Sequence, residues 1–208
     1  EIDGPVSELQ RDHLGRVRAS GRHLLGLIED LLGYARIEAG EEAVHVEHVL
    51  LADVVSQSVV LIDPLAASKG LDIRIVGSHE AIMLHTDGRK VCQILVNLLA
   101  NAVKFSDSGG IELLVRVSGV DADSTVFLEV TDTGLGIAVG DHEHIFDPFW
   151  QTDQSHARNA EGTGLGLSVA RQLARLLGGD LTVTKSSLGD GSTFVVSLPT
   201  IYSAALLL

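Results

Sequence analysis

Residues 87–105 read DGRKVCQILVNLLANAVKF and predict one helix with two different faces. The apolar face has the spacing of a helix that packs on a core; its members are Val91, Leu95, Leu98, Ala102 and Phe105. The polar face comprises Gln93, Asn97, Asn101 and Lys104. Asparagine is a poor helix former, so two of them beside leucines favour a polar stripe that opens into a pocket over a merely solvated surface. Amide oxygens suit Mg²⁺, and Lys104 can face phosphate.

Two glycine clusters follow this helix in the sequence. Residues 132–137, DTGLGI, come directly after a predicted strand, and residues 162–167, GTGLGL, open a predicted helix. A carboxylate at position 132 could accept a hydrogen bond from the amine of adenine, and glycines at a helix start expose N–H groups to anions. Neither cluster is a P-loop or a dinucleotide fingerprint, because the required lysine and spacing are missing. Each match is weak when taken alone.

The stretch between the clusters, which ends at Glu161, has no regular pattern. Structureless segments of this length in compact domains are usually functional and often form lids. Arg158 is the one Lys or Arg between Pro148 and Glu161, and a basic side chain on a lid could close on a phosphate tail. A simply solvated arginine is the alternative.

Composition limits the classes of function. The 208 residues are 45% apolar and 4% aromatic and carry a net charge of −13, which describes a globular chain without the basic footprint of a nucleic-acid binder. A single cysteine, Cys92, excludes an intrachain disulfide and favours a reducing compartment. We expect no membrane span, because no apolar run approaches ~18 residues. The chain opens at Glu1 without a methionine, and we expect a fragment of something longer.

The first forty residues have a heptad pattern that continues to a stop at Gly40. The stripe comprises Leu14, Val17, Gly21, Leu24, Ile28, Leu31 and Ala35. One amphipathic helix cannot bury such a stripe by itself, so the pattern favours a helical bundle over a helix packed on its own domain.

From residue 41 the pattern is mixed. We expect strands at 44–51, 71–76, 111–117, 126–131, 180–185 and 192–198 and helices at 52–67, 87–105 and 163–177. This order predicts an α+β fold, a two-layer sandwich in which one mixed sheet carries helices on one face. The predicted domains are 1–40, 41–200 and a tail at 201–208.

Five motifs, taken in order, resemble the N, G1, F, G2 and G3 boxes of sensor histidine kinases. They are Asn97-x-x-x-Asn101-Ala102-x-Lys104-Phe105, Asp132-x-Gly134-x-Gly136-Ile137, Phe146-x-Pro148-Phe149, Gly162-Thr163-Gly164-Leu165-Gly166-Leu167 and Gly189-x-Gly191-Ser192-x-Phe194. The resemblance covers about residues 47–199. Upstream, residues 31–40 resemble the end of the second helix of the family's dimerisation hairpin, so the resemblance implies that 1–40 is half of a hairpin that pairs with another copy.

The resemblance implies a Bergerat-type ATP site with Mg²⁺. Asp132 would bind the adenine amino group, Thr193 would support the adenine side, and Asn101 would ligate Mg²⁺. Asn97, Lys104 and Arg158 would act on the phosphates, with Arg158 on a lid hinged at Phe146. The remaining ATP-binding positions in the boxes are Phe105, Gly134, Gly136, Ile137, Gly162, Thr163, Gly164, Leu165, Gly166 and Leu167.

The sequence departs from the family in its acceptor. None of the nine histidines lies in a phosphoacceptor box; His142-Glu143 comes closest but continues as His144-Ile145. The helix that carries the acceptor is therefore expected to be absent, so that the fragment binds ATP without phosphorylating itself on the usual histidine. Glu161 stands where many relatives have glycine, a mild departure. His45/His48 and His142/His144 are expected to be surface residues and not metal ligands.

Relatives that share this site fold include ATP-hydrolysing machines, in which a glutamate activates water one turn before the Mg²⁺ asparagine. Asn97 occupies that position here, and a neutral amide is no general base. A histidine kinase is therefore favoured over an ATPase, a serine kinase or a non-catalytic nucleotide-binding module. The implied partners are the receiver domain of a response regulator and a second copy of the chain, with no nucleic acid and no membrane contact. We expect a cytoplasmic location of bacterial type within a larger sensor protein.

Overall fold

The structure, a computed structural model, describes residues 7–77, 81–119, 124–151 and 163–203. A long helix comes first, and it is followed by an α+β unit that contains the buried core. The elements are α1 Glu8–Glu38, β1 Glu47–Leu50, α2 Leu51–Ser68, β2 Asp72–Gly77, β3 Met83–Thr86, α3 Gly88–Phe105, β4 Gly110–Ser118, β5 Thr125–Asp132, α4 Gly166–Leu176, β6 Asp180–Ser186 and β7 Ser192–Pro199, with short 3₁₀ helices at Val139–Asp141 and His144–Phe146.

Five strands form the main sheet in the order β2-β4-β5-β7-β6. The β2–β4 pair is parallel and the other pairs are antiparallel. Alternate residues of β4, β5 and β7 are buried, as period-two patterning requires, and the helices α2, α3 and α4 contact the sheet. The prediction of an α+β sandwich with a mixed sheet is confirmed.

A second, two-stranded sheet lies beside the first, so the expectation of a single sheet is wrong. It pairs β1 with β3, antiparallel, with Glu47 opposite Thr86. Residues 200–202 extend it, because His85 exchanges backbone hydrogen bonds of 2.8 Å with Thr200 and Tyr202 and forms a parallel bridge with Ile201. The segment that follows β7 therefore lies beside the strand that also binds β1.

The helix α2 departs from the expectation that no apolar run could span a membrane. By length and composition Leu51–Ser68 passes that test, with a mean hydropathy of 1.3. The core helix of a soluble protein passes it too, and one such helix is weak evidence. Here one face of α2, which includes Leu51, Val55 and Ala66, is buried in the hydrophobic core.

The helix α1 begins at a capping box in which Ser7 and Gln10 bond each other's backbone. Along most of its length the heptad stripe is uncovered: Leu14, Val17 and Leu24 are 58%, 69% and 57% exposed. Only its last turns pack on the core, through Tyr34 and Ile37. The predicted stripe is thus present, and within the described residues the domain covers only its end.

Two polar contacts fix the end of α1 and the linker after it. Gln172 in α4 donates to a Glu38 carboxylate oxygen at 3.1 Å. Further on, the Lys90 ammonium is buried and binds Glu42 at 2.6 Å and Asp87 at 3.5 Å. Asp87 also caps α3 and accepts the His45 N–H. Burial alone would raise the pKa of Asp87, but the backbone donors and the Lys90 charge outweigh it, and the pKa is lowered.

We expect Lys90→Met to lower the free energy of unfolding by about 3 kcal/mol, because it leaves a buried carboxylate without its cation. Arg16→Met is the matched control: Arg16 pairs with Asp12, but both side chains are largely exposed, so its loss is expected to cost less than ~1 kcal/mol. Urea unfolding of both variants gives the comparison. Equal losses would mean that the Lys90 pair does not stabilise the junction.

Candidate functional site

The site is built around a carboxylate at the end of β5. Alternate residues of this strand face the core and Asp132 continues the alternation, so that its side chain is only 6% exposed. Its Oδ1 accepts the Gly134 N–H at 2.8 Å, and the Ser192 N–H donates to the same carboxylate. Burial raises the pKa of Asp132, and the two donors oppose this rise without cancelling it. An acceptor held in this way suits a neutral hydrogen-bond donor such as an amine.

The loop after β5 is bound on both sides by backbone groups. On one side the Leu135 N–H donates to the Phe105 carbonyl at 3.2 Å, which ties the loop to the end of α3. On the other side the Leu135 carbonyl accepts from Gly189 at 2.7 Å, and the Ile137 N–H donates to the Ser186 hydroxyl at 2.7 Å. The loop therefore joins α3 to the turn before β7.

Glycine is required in this loop by close approach. A Cβ on Gly136 would lie 1.8 Å from the Ser187 carbonyl oxygen, and the residue has a φ of +68°. A Cβ on Gly134 would lie 2.5 Å from the Phe105 carbonyl oxygen. Distances below 3.0 Å are not tolerated without a shift of the backbone, so the spacing of the motif follows from the packing of three backbones.

The polar stripe of α3 faces the start of α4. Asn97 donates from Nδ2 to the Gly166 carbonyl at 3.1 Å. The Asn101 amide nitrogen lies 3.9 Å from the position that a Cβ on Gly166 would take. Both side chains are half-buried, whereas Gln93 at the other end of the predicted stripe is exposed, so the solvated-surface alternative fails for the two asparagines only. The predicted phosphate-facing Asn97 amide is here hydrogen-bonded to the second glycine cluster.

Lys104 extends the same stripe at the last turn of α3. Its side chain is half-buried, and Nζ lies 4.7 Å from the centroid of the Phe105 ring. Burial lowers the pKa of this lysine. A cation with lost hydration gains more than an exposed one from a nearby phosphate.

The second glycine cluster is described from Thr163 onwards; Arg158 and Gly162 lie outside the described residues. The Thr163 hydroxyl accepts the Leu165 N–H at 2.9 Å. Gly164 accepts from the Phe149 N–H at 3.0 Å, which joins the two ends of the intervening segment. The helix begins at Gly166 and not at residue 163, because the preceding residues form this hydrogen-bonded turn. Leu165 is buried and Leu167 packs at the edge of the core.

Two further predicted residues lie at the border of this region. Phe146 is buried in the 3₁₀ helix His144–Phe146, with the Arg171 guanidinium 4.5 Å from its ring centroid. Arg171 also pairs with Glu143 and Asp180. Thr193 of β7 shares a hydroxyl–hydroxyl hydrogen bond of 3.1 Å with Thr131 of β5, one residue before Asp132.

The histidines that the structure describes form no set of metal ligands. His144 is exposed and bonds Asp147 at 2.9 Å, and this hydrogen bond and the carboxylate charge raise the pKa of His144. The rings of His48 and His85 lie 4.7 Å apart. Among residues 7–77, 81–119, 124–151 and 163–203, no group of three or more His, Cys, Asp or Glu side chains could hold a metal.

The sequence analysis did not identify Ser186, the last residue of β6, which binds the loop that follows β5. The Ser186 hydroxyl is buried; besides accepting from Ile137, it donates to the Gly191 carbonyl at 3.1 Å and contacts the Ser192 hydroxyl at 2.9 Å. A serine at the end of a strand carries no distinctive signal. The G3 motif nearby, with Gly191 and Ser192, was the available indication.

The donor set fits a magnesium nucleotide. The Asn101 amide offers an oxygen of the kind that Mg²⁺ binds while it keeps several waters. The buried Asp132 carboxylate offers the acceptor that an adenine amine requires.

Comparisons with known proteins agree with this geometry. Residues 86–201 match the family model described as histidine kinase-, DNA gyrase B- and HSP90-like ATPase. The chain is 37% identical over 200 residues to the circadian input-output histidine kinase CikA of Synechococcus elongatus, covering 94% of this chain and 26% of that protein. It is 34% identical over 196 residues to hybrid signal transduction histidine kinase B of Dictyostelium discoideum, covering 93% and 10%.

Solved structures give the same result. Full-length ShkA in complex with AMPPNP matches with a TM-score of 0.81 at 33% identity, covering 99% of this chain and 42% of that one. The histidine kinase AdeS of Acinetobacter baumannii matches with a TM-score of 0.68 over 96% and 87%; at 22% identity this likeness shows the fold alone.

We expect Asp132→Asn to stabilise the nucleotide-free protein at pH 7. The folded-state pKa of Asp132 is raised, so its ionised form opposes folding above that pKa, and the penalty disappears as the pH falls through it. The gain from the amide should therefore be largest above the folded-state pKa of Asp132 and should shrink as the pH falls from there towards the unfolded-state pKa, as followed by urea unfolding.

Asp180→Asn is the control with the opposite sign. Burial would raise the pKa of Asp180, but Arg171 and Arg175 outweigh it and lower the pKa, so this carboxylate stabilises the fold above its unfolded-state pKa and the amide should destabilise it at pH 7. A loss of stability in both variants would contradict the burial cost assigned to Asp132.

Proposed function

The chain belongs to the histidine kinase-, DNA gyrase B- and HSP90-like ATPase family as the catalytic domain of a sensor histidine kinase, and from this premise we propose that it transfers the γ-phosphoryl group of ATP to a histidine on another helix. The observation that carries the proposal is the joint between the loop after Asp132 and the end of α3, the helix that carries Asn97 and Asn101: the Leu135 N–H donates to the Phe105 carbonyl, and Gly134 approaches the same carbonyl too closely for a Cβ. The chain spans 10% and 26% of the two relatives named above, so the activity of the whole protein is part of the proposal.

Asp132 would recognise adenine. Its carboxylate is buried and already accepts two backbone donors, which fixes its orientation, and it can accept a further hydrogen bond from the exocyclic amine. Gly134, Gly136 and Ile137 would supply the backbone beside the base, and Thr193 would support it through Thr131. The ShkA complex with AMPPNP supports an adenine nucleotide as the ligand.

Asn101, Lys104 and Asn97 would act at the phosphate end. Asn101 would hold Mg²⁺, which when bound neutralises phosphate charge and orients the transferred group. Lys104 would bind a phosphate oxygen, and the phosphate charge would raise the pKa that burial lowers. The segment 163–167, with Gly164 and Gly166, would present backbone N–H groups, and Arg158 with Gly162 would close over the nucleotide from the segment that precedes it.

The asparagine at position 97 favours phosphoryl transfer to a protein over hydrolysis of ATP. A water-activating base is absent at this position, because an amide cannot take a proton near neutral pH, and its Nδ2 is engaged by Gly166. The bond between the γ-phosphorus and its bridging oxygen would therefore break as a histidine nitrogen outside this chain bonds to phosphorus, with ADP as the leaving group. An ATP-hydrolysing or non-catalytic nucleotide-binding module is the alternative.

The exposed apolar stripe of α1 supports the proposal that other helices pack on it. Leu14, Val17 and Leu24 are more than half exposed, and we propose that the missing hairpin helix and a second copy cover them in a bundle. A receiver-domain aspartate of a response regulator would then take the phosphoryl group, in line with the two-component relatives. A cytoplasmic location within a larger sensor protein belongs to the same proposal.

We expect Asp132→Asn to weaken ATP binding about ten- to a hundredfold. The amide turns a donor towards an amine and loses a charged hydrogen bond, which is worth about 1.5–3 kcal/mol. Calorimetric titration measures the affinity, and Asp190→Asn, which alters an exposed carboxylate bonded to Ser187, is the matched control. Unchanged affinity would remove Asp132 from the adenine site.

We expect Asn101→Ala to abolish phosphotransfer that depends on Mg²⁺, because it removes the proposed oxygen ligand. The assay mixes this chain and Mg·ATP with a separate helical bundle that carries the acceptor histidine, and follows acid-labile phosphate. Full activity of the variant would take Asn101 out of the metal site. Phosphate on serine, or release of free phosphate alone from the wild-type chain, would instead support one of the alternatives.

A further inference from the structure

Lys69 belongs to none of the motifs. It follows the end of α2, and its side chain reaches the C-terminal end of α3, the helix that carries Asn97 and Asn101. The Lys69 ammonium donates to the carbonyl oxygens of Val103 at 2.9 Å, Lys104 at 2.8 Å and Ser106 at 3.2 Å. An ammonium has three N–H donors, so the three carbonyls use all of them. The contacts join residues 34 to 37 positions apart in the sequence.

The position favours a cation for two reasons. The last carbonyls of a helix have no partner within the helix, and the C-terminal end of the helix dipole is negative. Val103 and Ser106 are buried at 0% exposure, so the loss of the ammonium would leave carbonyls in a region that water reaches poorly.

Lys69 is itself held in place by the end of α2. Its N–H donates to the Ala66 carbonyl, the Gly70 N–H donates to Ala67, and Leu71 donates back to Ala66, each at 3.0 Å. The turn needs Gly70, which has a φ of +67°. Two helix ends are therefore joined through one side chain.

The carbonyls that Lys69 binds flank the joint between α3 and the loop after β5. Phe105 lies between them, and its carbonyl accepts the Leu135 N–H and limits the approach of Gly134. The Lys104 side chain begins at one of the three bonded residues. A shift of this helix end would thus move Lys104 and the loop that follows Asp132 together.

We propose that Lys69 is a positioning residue for the nucleotide site, which acts through the backbone of residues 103–106 to set Lys104 and the Leu135 loop. This inference rests on the proposed function and adds a residue from α2 to the site. The proposed role concerns nucleotide affinity and not only stability: without the ammonium, even the molecules that remain folded are expected to bind the nucleotide less tightly.

The test compares ADP affinity by calorimetry, at a temperature where each variant is folded, for Lys69→Met, Lys69→Gln and Lys69→Arg. We expect Lys69→Met to weaken binding about tenfold, because apparent affinity falls with the fraction of molecules whose site keeps the binding arrangement, and Lys69→Arg to stay within about threefold, because guanidinium donors can reach carbonyls. Hydrogen exchange of the Leu135 amide should accelerate in the order Arg, Gln, Met.

Two controls separate the inference from general damage. Ser58→Ala removes a buried hydroxyl of α2 that bonds Val54, and Lys185→Met removes an exposed lysine from β6; both should bind ADP as the wild type does. If Lys69→Met does not fold, the order of the Arg and Gln variants decides. Wild-type affinity in all folded Lys69 variants, or an equal loss in Ser58→Ala, would overturn the positioning role, whereas a wild-type chain that fails to bind ADP would overturn the proposed function itself.

Discussion

Three stretches of backbone meet around the loop that follows β5, and the rest of the site depends on how closely they approach. The end of α3 lies on one side, the turn before β7 on the other, and the distances from Gly134 and Gly136 to the neighbouring carbonyls leave no room for a Cβ. Asp132 stands at the start of this loop and accepts one N–H from it, that of Gly134, and a second from Ser192 of β7. The same packing that closes the core thus orients the buried carboxylate at the end of the central strand β5.

Burial acts on the two ionisable groups of the site in a matched way. It raises the pKa of Asp132 and lowers the pKa of Lys104, so in each case the charged form is the disfavoured one. A ligand with an amine at one end and phosphates at the other would offset both costs at once. This explains how a chain with a net charge of −13 can have a local site for an anion.

Much of this arrangement was predictable from local pattern. The two faces of 87–105 gave a helix that the structure has at Gly88–Phe105, and an aspartate directly after an alternating strand gave a carboxylate at the core face. The strand β3 was missed because Met83–Thr86 is short and its sequence, two apolar residues followed by two polar ones, does not alternate between apolar and polar. Lys69 and Ser186 were missed for another reason: each acts on backbone far away in sequence, and such contacts have no periodicity to read. The ligand-binding roles of all the site residues remain predictions, and Arg158 and Gly162 also lie outside the described residues.

The small sheet of β1, β3 and the bridge at Ile201 has a consequence for any longer polypeptide. The chain enters this small sheet at β1 and leaves it after Ile201. These two segments lie on opposite sides of β3, so they are about 10 Å apart at ordinary strand spacing. A unit with neighbouring ends can be spliced into a larger assembly without distortion.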